Sequence, residues 1–278
     1  MRKYSLFGLL IFVFFSCSKT SMQEESSRKL NSENSSSLET YSSMIYVSSL
    51  NGKPYSEVLD SVGKWHNDYQ TYVLSAILDS GIDIIDTANL KVFISQKTDE
   101  FFIPKGINPG SFNITNYLGT SESTLILDST IYSKQGNSIL NRMKTMLEGF
   151  NSNSGQSYFD SLNTLKAEAL TLSNEEKLLV GIPVTIALNS SKYWKLNAAT
   201  WRDKFWQQQI NDNGVYLKKP TINLTEVGVS DVSGAVTGAY GGAVLGVGGA
   251  LAGGVLGSST GSLFNIGHQL IGQFTGWW

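Results

Sequence analysis

Few side chains in this sequence are of a type and spacing that could perform chemistry. His66 and His268 are the only histidines, and they lie roughly 200 residues apart. A zinc site needs three or four ligands at short spacings, and a serine triad needs a histidine beside a positioned nucleophile. Neither pattern can be assembled from neighbouring residues here. The sequence therefore predicts no catalytic residue, no metal site and no cofactor, in a protein that is not an enzyme.

The charged residues give no indication of a charged partner. The acidic pairs Asp99-Glu100 and Glu175-Glu176 lie near predicted helix ends, where carboxylates are usually solvated. The whole chain has 21 basic and 23 acidic residues, which is a net charge of −2. A protein with that balance lacks the basic excess that attracts nucleic acid. Nucleic acid is therefore not an expected partner.

Cys17 is the only cysteine, and its position predicts a modification. Two basic residues precede an apolar run from Leu6 to Phe15, which is too short to span a bilayer but typical of a secretory signal. A small residue and a cysteine after such a run resemble the lipobox of bacterial lipoproteins, in a relaxed form similar to that of the Bacteroidota. Residues 1–16 are thus expected to be a lipoprotein signal peptide, with Cys17 acylated by chains such as palmitate. The alternative is an ordinary signal peptide with an incidental cysteine.

Residues 17–44 are rich in Ser, Asn, Glu and Lys and contain little that could be buried, so we expect a disordered tether. A flexible chain of that length reaches on the order of 25 to 30 Å on average. It would hold a folded domain away from the membrane that contains the acyl anchor. The expected location is the cell envelope, as an outer membrane lipoprotein facing the periplasm or the cell surface. The sequence leaves the leaflet open.

Apolar residues at three- and four-residue spacing predict an all-α fold, with a helical bundle over residues 45–212. Pro54 suits a first helical turn, Gly81 suits a helix end, and Asp86 or Thr87 can cap a second helix. Further helices are expected over Asn137 to Phe150, Tyr158 to Leu172 and the segment that Ser173 opens. Thr120 to Ser133 fits either a short helix or a strand, and a helix is favoured. Residues 213–227 are expected to be a linker.

A first motif, Gly63-x-x-His66-Asn67, lies inside the first predicted helix. His66 follows Val62 by one turn and lies at the edge of the apolar stripe, so its imidazole is expected to reach both a buried acceptor and water. A His-Asn pair in that position either holds the helix to its neighbour or binds a ligand or transfers a proton. The sequence favours the structural pair.

A second motif, Ser190-x-x-Tyr193-Trp194, is followed by Trp201 and Trp206, and the three tryptophans form a predicted aromatic cluster. Rings of this kind can stack on sugars. Aromatic residues at helical spacing more often indicate a packed core. Core packing is the favoured interpretation, and a sugar-binding lipoprotein is the weaker alternative.

The last part of the chain is dominated by glycine, and after Asp231 the only residue that can carry a side-chain charge is His268. Small residues recur at every fourth position in two stripes. This is the pattern of a glycine zipper, in which two helix backbones approach closely. The first stripe contains Gly234, Gly238, Gly242, Gly246, Ala250 and Gly254, and the second contains Gly249, Gly253, Gly257 and Gly261.

A single helix from Val232 to Ser262 is energetically unfavourable, because 11 of its 31 positions are glycine and each costs roughly 1 kcal/mol in helix propensity. A break is expected from Gly246 to Gly249, which predicts a glycine-zipper helical hairpin within residues 228–278. Its larger apolar side chains then contact the bundle, a lipid bilayer or another copy of the chain. Packing on the bundle is favoured, and membrane insertion and self-association stay open.

Cys17, the Gly-x-x-His-Asn motif, the Ser-x-x-Tyr-Trp helix end and the C-terminal zipper together resemble uncharacterised lipoproteins of the Bacteroidota. The resemblance implies a protein held at a membrane through lipidated Cys17, and it implies no activity or ligand. The favoured function is a non-catalytic structural or interaction module of the cell envelope. The alternative is a membrane-active, bacteriocin-like or toxin/immunity protein that uses the hairpin.

Overall fold

The computed structural model describes residues 53–83, 86–105, 131–213, 218–243 and 246–275, and these residues are mostly helical. Seven α-helices and no β-strand occur in this part of the chain, which confirms the predicted all-α helical bundle. The helices are α1 (Tyr55–Ser80), α2 (Thr87–Phe102), α3 (Lys134–Glu148), α4 (Gln156–Ala169), α5 (Asn174–Asn213), α6 (Leu224–Ala243) and α7 (Gly246–Thr275).

Several sequence predictions concern residues outside the described ranges. They are the signal peptide over residues 1–16, the acylation of Cys17 and the tether over residues 17–44. Most of the helix expected from Thr120 to Ser133 also lies outside them. These remain predictions.

Three residues singled out in the sequence lie at the ends of the first two helices. Pro54 precedes the first turn of α1, and Gly81 follows its last turn with a φ of 64°. Glycine adopts this left-handed conformation without strain, which is why it commonly ends helices. Asp86 caps α2 by accepting a hydrogen bond from the backbone N–H of Asn89 at 3.1 Å.

The fifth helix, α5, is at the centre of the bundle, because α1, α3, α4, α6 and α7 all pack against it. Residues 178–188 are buried without interruption, so this stretch of α5 has no solvent-facing side. A helix that is buried all round must lie inside a layer of other helices. The core of the bundle therefore runs along the N-terminal half of α5.

The sixth helix, α6, begins at Leu224, inside the segment that was expected to be a linker over residues 213–227. The helix begins there because the preceding residue, Asn223, caps it. The side-chain oxygen of Asn223 accepts hydrogen bonds from the N–H groups of Thr225 and Glu226. Such a cap satisfies N–H groups of the first turn that have no partner within the helix.

The sixth and seventh helices are consecutive and pack extensively against each other. The sixth ends at Ala243, and the seventh begins at Gly246, whose φ of 82° is again left-handed. The sixth helix also packs on α5, and the seventh packs on both α1 and α5. The two glycine-rich helices thus belong to the same compact unit as the bundle.

Candidate functional site

The two sequence motifs meet at one buried carboxylate, that of Asp231. We call the side chains around it the buried polar cluster. Its members are His66 and Gln70 of α1, Ser190 and Trp194 of α5, Asp231 of α6, and Ser262 of α7. Each of the six is 0 % exposed. The cluster therefore connects four helices in the interior of the bundle.

Two donors from α5 bind the same oxygen of this carboxylate. Ser190 and Trp194 are one helical turn apart and so lie on the same face of α5. The hydroxyl of Ser190 donates to Oδ2 of Asp231, and the indole Nε1–H of Trp194 donates to the same atom at 2.9 Å. The Ser-x-x-Tyr-Trp motif thus supplies two hydrogen-bond donors to one acceptor on α6.

The first motif positions His66 by attaching α1 to α5. Gly63 lies against Asn189, where a Cβ atom would come within 2.2 Å of the Asn189 side-chain nitrogen. One turn later, the side-chain amide of Asn67 donates to the backbone carbonyl of Asn189 at 3.2 Å. Gly63 and Asn67 therefore both contact Asn189, and His66 is directed from the same part of α1 towards α6.

Both ring nitrogens of His66 face oxygen acceptors. Nε2 lies 3.3 Å from Oδ1 of Asp231, and Nδ1 lies 2.9 Å from the side-chain oxygen of Asn67. Because the Asn67 nitrogen already donates to Asn189, it is the Asn67 oxygen that faces the ring. Only an imidazolium ion carries a proton on both nitrogens, and its positive charge is favoured 3.3 Å from a carboxylate oxygen. The geometry therefore favours the protonated form of His66 beside the Asp231 carboxylate.

Burial and charge act on the pKa of His66 in opposite directions. Burial lowers the pKa of a histidine, because the imidazolium ion loses its hydration. The charge of Asp231 and the polar contacts with Asp231 and Asn67 outweigh burial and raise the pKa of His66 above its ordinary value. His66 is therefore protonated up to a higher pH than a histidine in an unfolded chain.

The Asp231 carboxylate is accordingly a partnered buried charge. Its Oδ2 accepts two hydrogen bonds, while Oδ1 makes no hydrogen bond of good geometry with the described residues. The 3.3 Å contact of Oδ1 with His66 is thus an ionic one. An isolated buried carboxylate would cost several kcal/mol, and such groups persist only when paired and hydrogen-bonded.

The seventh helix joins the cluster through Gln70. The side-chain amide of Gln70 donates to the backbone carbonyl of Ser259 at 3.1 Å and to the hydroxyl of Ser262 at 2.5 Å. His66 and Gln70 are one turn apart on α1. A single face of α1 thus contacts α6 through His66 and α7 through Gln70.

The order of these side chains differs from that of a serine triad. In a serine triad the histidine lies between the serine and the carboxylate. Here the carboxylate of Asp231 lies between Ser190 and His66, so the hydroxyl contacts the carboxylate and not the histidine. Full burial of all three side chains also leaves no space for a substrate beside them. His66 does not reach water, in contrast to the expectation from its place at the edge of the apolar stripe.

Two of the three tryptophans of the predicted aromatic cluster lie in the core. Trp194 and Trp201 are 0 % and 1 % exposed, with ring centroids 5.3 Å apart in an edge-to-face arrangement. Trp201 also donates to the hydroxyl of Tyr193 at 3.0 Å. Trp206 is partly exposed, and the ammonium of Lys219 lies over its ring at 5.2 Å. The buried pair therefore presents no ring face on which a sugar could stack.

The small residues of the predicted zipper are divided between two interfaces. At the first, which we call the glycine interface, α6 and α7 touch backbone to backbone. A Cβ atom on Gly234 would lie 2.1 Å from the carbonyl oxygen of Gly257, and one on Gly238 would lie 2.0 Å from that of Gly253. A Cβ on Gly261 would lie 2.6 Å from the carbonyl oxygen of Ser230. Side chains at these positions would force the two helices apart.

The second interface lies between α7 and the rest of the bundle. A Cβ on Gly254 would lie 2.5 Å from the Cγ2 atom of Ile182 on α5, and Ser262 accepts from Gln70 on α1. Ala250 is fully buried, and Gly242 and Gly249 are buried as well. The stripe that the sequence predicts from Gly234 to Gly254 therefore crosses from one interface to the other, because the chain reverses direction between α6 and α7.

Other patterns in the described part of the chain do not form a site. The spacing Gly257-x-Ser259-x-Gly261 matches the motif around a hydrolase nucleophile, but that motif requires a strand-to-helix turn and Ser259 lies buried within α7. Among the described residues, no three His, Cys, Asp or Glu side chains are grouped as metal ligands. None of the helices described here is both long enough and apolar enough to span a membrane.

Asp231 is the residue that sequence reasoning missed. A signal for it exists, because it is the last carboxylate before a long stretch without acidic or basic residues. A lone charge at the start of an apolar segment needs a partner if it is buried. No protein-family model, curated protein or solved structure matches this chain, so the interpretation of the cluster rests on its geometry.

Proposed function

We propose that this protein is a non-catalytic, lipid-anchored module of the cell envelope, with a structural or interaction role. Acylated Cys17 holds it at the outer membrane, facing the periplasm or the cell surface. The glycine-rich helices α6 and α7 are an internal part of the bundle and not a second membrane anchor. The folded surface of the bundle is then the part available to partners.

The burial of Asp231 is the observation that carries this proposal. Its carboxylate is 0 % exposed and contacts Ser190 and Trp194 of α5 and His66 of α1. If α6 and α7 left the bundle for lipid, Asp231 would lose all three partners. A carboxylate without partners in a bilayer costs at least about 2.5 kcal/mol, so the bundle is the favoured environment for these helices.

Fractionation of the Cys17→Ser variant tests the proposal. In a Gram-negative host, we expect the unmodified chain in the membrane fraction and the variant in the soluble periplasmic fraction. A Ser18→Ala variant, which keeps the cysteine, is the matched control and should stay with the membrane. If Cys17→Ser stays in the membrane fraction after residues 1–16 have been removed, as the mass of the purified chain would show, a second anchor exists, and the proposed role of α6 and α7 is wrong.

A membrane-active role for the hairpin is the alternative. The observation in its favour is that no acidic or basic residue follows Asp231 in the sequence apart from His268. Dye release from liposomes by the purified Cys17→Ser chain distinguishes the two functions. We expect no release from vesicles of zwitterionic or anionic lipid. Release that depends on protein concentration would support the membrane-active function instead.

A further inference from the structure

A groove of about 430 Å³ lies on the surface of the bundle, and Trp194 is the one residue of the buried polar cluster among its described lining residues. Three parts of the chain border it. They are the turn that follows α3 at Phe150, one face of α5 from Trp194 to Arg202, and the extended segment from Thr221 to Asn223 that leads into α6. Its volume is within the range of small-molecule sites, roughly 300 to 1,000 Å³.

The charged side chains that line this groove are both cationic. They are Lys195 and Arg202, and no carboxylate is among the described lining residues. The two residues are seven positions apart on α5, which places them two turns apart on one face. The carboxylate of Asp203, which is not a lining residue, is shared between Arg202 at 2.6 Å and Lys219 at 3.0 Å. Positive charge therefore exceeds negative charge at this groove, although the whole chain is slightly acidic.

Both cations retain donors for a further acceptor. Arg202 uses its Nε to bind Asp203, which leaves the donors of its two terminal nitrogens. Lys195 donates to the backbone carbonyl of Ser154, and an ammonium group has three donors. Part of the lining is apolar and accessible, at Ala199, Ile222 and Leu224.

The extended wall of the groove is held in place by two glutamines of α7. Gln273 accepts from the N–H of Thr221 at 2.8 Å and donates to its carbonyl at 2.8 Å. Gln269 accepts from the N–H of Asn223 at 2.6 Å. Glutamines one turn apart thus pair with alternate residues of an extended segment. Because this wall is already held in place, less conformational entropy is lost when a ligand binds against it.

We propose that this groove binds a small organic anion with a short apolar body, such as a medium-chain carboxylate. The carboxylate would lie between Lys195 and Arg202, and the apolar body would cover Ala199 and Ile222. This site is independent of lipidation at Cys17 and of how the chain is held at a membrane. The proposed ligand site can therefore be wrong while the proposed envelope function is right, and the envelope function can be wrong while the ligand site is right.

Titration of the full-length Cys17→Ser chain with hexanoate tests the site, read out by NMR chemical shifts of the backbone amides. We expect saturable shifts at groove residues such as Ala199 and Thr221. Hexanol should bind about tenfold more weakly, because it cannot form the charge-assisted hydrogen bonds. Equal binding of hexanol, equal binding of inorganic phosphate, or the absence of saturable shifts at the groove would each overturn the proposal.

Two pairs of variants localise the binding. Arg202→Met should weaken hexanoate binding by about tenfold, whereas Lys192→Met, an exposed lysine of the same helix outside the groove, should leave it unchanged. Ala199→Trp should block binding by filling the groove. Thr200→Trp is its control, because Thr200 is exposed but does not line the groove. Equal effects of a variant and its control would contradict the proposed position of the ligand.

Discussion

Two sets of contacts join α6 to the rest of the bundle in opposite ways. Near the start of the helix, Asp231 is held by donors from α5 and by the ring of His66. One and two turns further along, Gly234 and Gly238 contact the backbone of α7 with no side chain in between. The polar cluster depends on side chains that must be present. The glycine interface depends on side chains that must be absent.

The glycine interface by itself does not define how α6 and α7 align. Its close contacts pair Ser230 with Gly261, Gly234 with Gly257 and Gly238 with Gly253. These pairs repeat every four residues on both helices, so a shift by one turn would again place small residues opposite each other. The glycines therefore permit close approach without defining a unique register.

The polar cluster removes that ambiguity. Asp231 meets its donors on α5 at one position of α6, and Ser262 meets Gln70 at one position of α7. A shift of either helix by one turn would leave a buried polar group without its partner, which costs about 1 to 3 kcal/mol for each neutral group and more for a charge. A buried polar pair that specifies register is a known use of such groups.

Removal of the Asp231 carboxylate is expected to have the largest effect. Asp231→Ala leaves His66, Ser190 and Trp194 without their acceptor, and breaking a buried ion pair costs about 3 to 5 kcal/mol in unfolding free energy. Urea denaturation of the Cys17→Ser chain measures this. Asp68→Ala, which removes an exposed carboxylate paired with Lys64, is the control and should cost less than about 1 kcal/mol. Similar costs for the two variants would mean that the cluster does not hold the bundle together.

Addition of a methyl group to the glycine interface should have the next largest effect. In Gly257→Ala, the new Cβ would lie 2.1 Å from the carbonyl oxygen of Gly234, and overpacking of this kind costs about 1 to 3 kcal/mol. Gly267→Ala is the matched control in the same helix, because nothing lies within 4 Å of its Cβ position. It should stabilise the protein by up to about 1 kcal/mol through helix propensity. Thermal unfolding should therefore shift in opposite directions, and a shift in the same direction would contradict the close contact.

The ion pair of the polar cluster predicts a smaller effect that depends on pH. The folded-state pKa of His66 is raised, so its contribution is fully present below the unfolded pKa of about 6.5 and is lost as pH rises through the folded value. The unfolding free energy should accordingly fall over that interval. Neighbouring groups are Asp231, Asn67 and Gln70, of which only the aspartate carries charge.

Comparison of pH profiles assigns this loss to one histidine. Denaturation midpoints are measured at a series of pH values. The decrease of the midpoint with rising pH should be absent in His66→Gln and present in His268→Gln, because His268 is exposed and outside the cluster. If the His66 variant keeps the full decline, another group is responsible and the imidazolium assignment is wrong.

The smallest expected effect concerns the glutamine contacts with the segment before α6. These hydrogen bonds are exposed, and a bond of this kind contributes about 0.5 to 1.5 kcal/mol. Gln273→Ala should therefore speed amide hydrogen exchange at Thr221 and leave exchange in the core of α5 unchanged. Gln96→Ala, which changes an exposed glutamine of α2, is the matched control and should leave exchange at Thr221 unaltered. Equal acceleration by both variants would indicate a general loss of stability.

Local signals in the sequence were sufficient to predict the all-α class and the ends of the first helices. Pro54, Gly81 and Asp86 act through the backbone of their own helix, so their effect does not depend on distant residues. The start of α6 at Leu224 was missed because the Asn223 cap lies in a stretch without strong apolar periodicity. The glycines indicated close packing, but spacing alone did not show which helix each glycine would face.

The sequence by itself determined where helices form and where side chains are too small to separate them, because propensity and periodicity are local properties. Only the tertiary structure decided that His66 and Asp231 share one buried site, since they lie on helices far apart in the chain. It also divided the small residues between the glycine interface and the contact of Gly254 with Ile182. Pairings of this kind depend on how whole helices pack. The spacing of residues along one helix does not show which other helix they will contact.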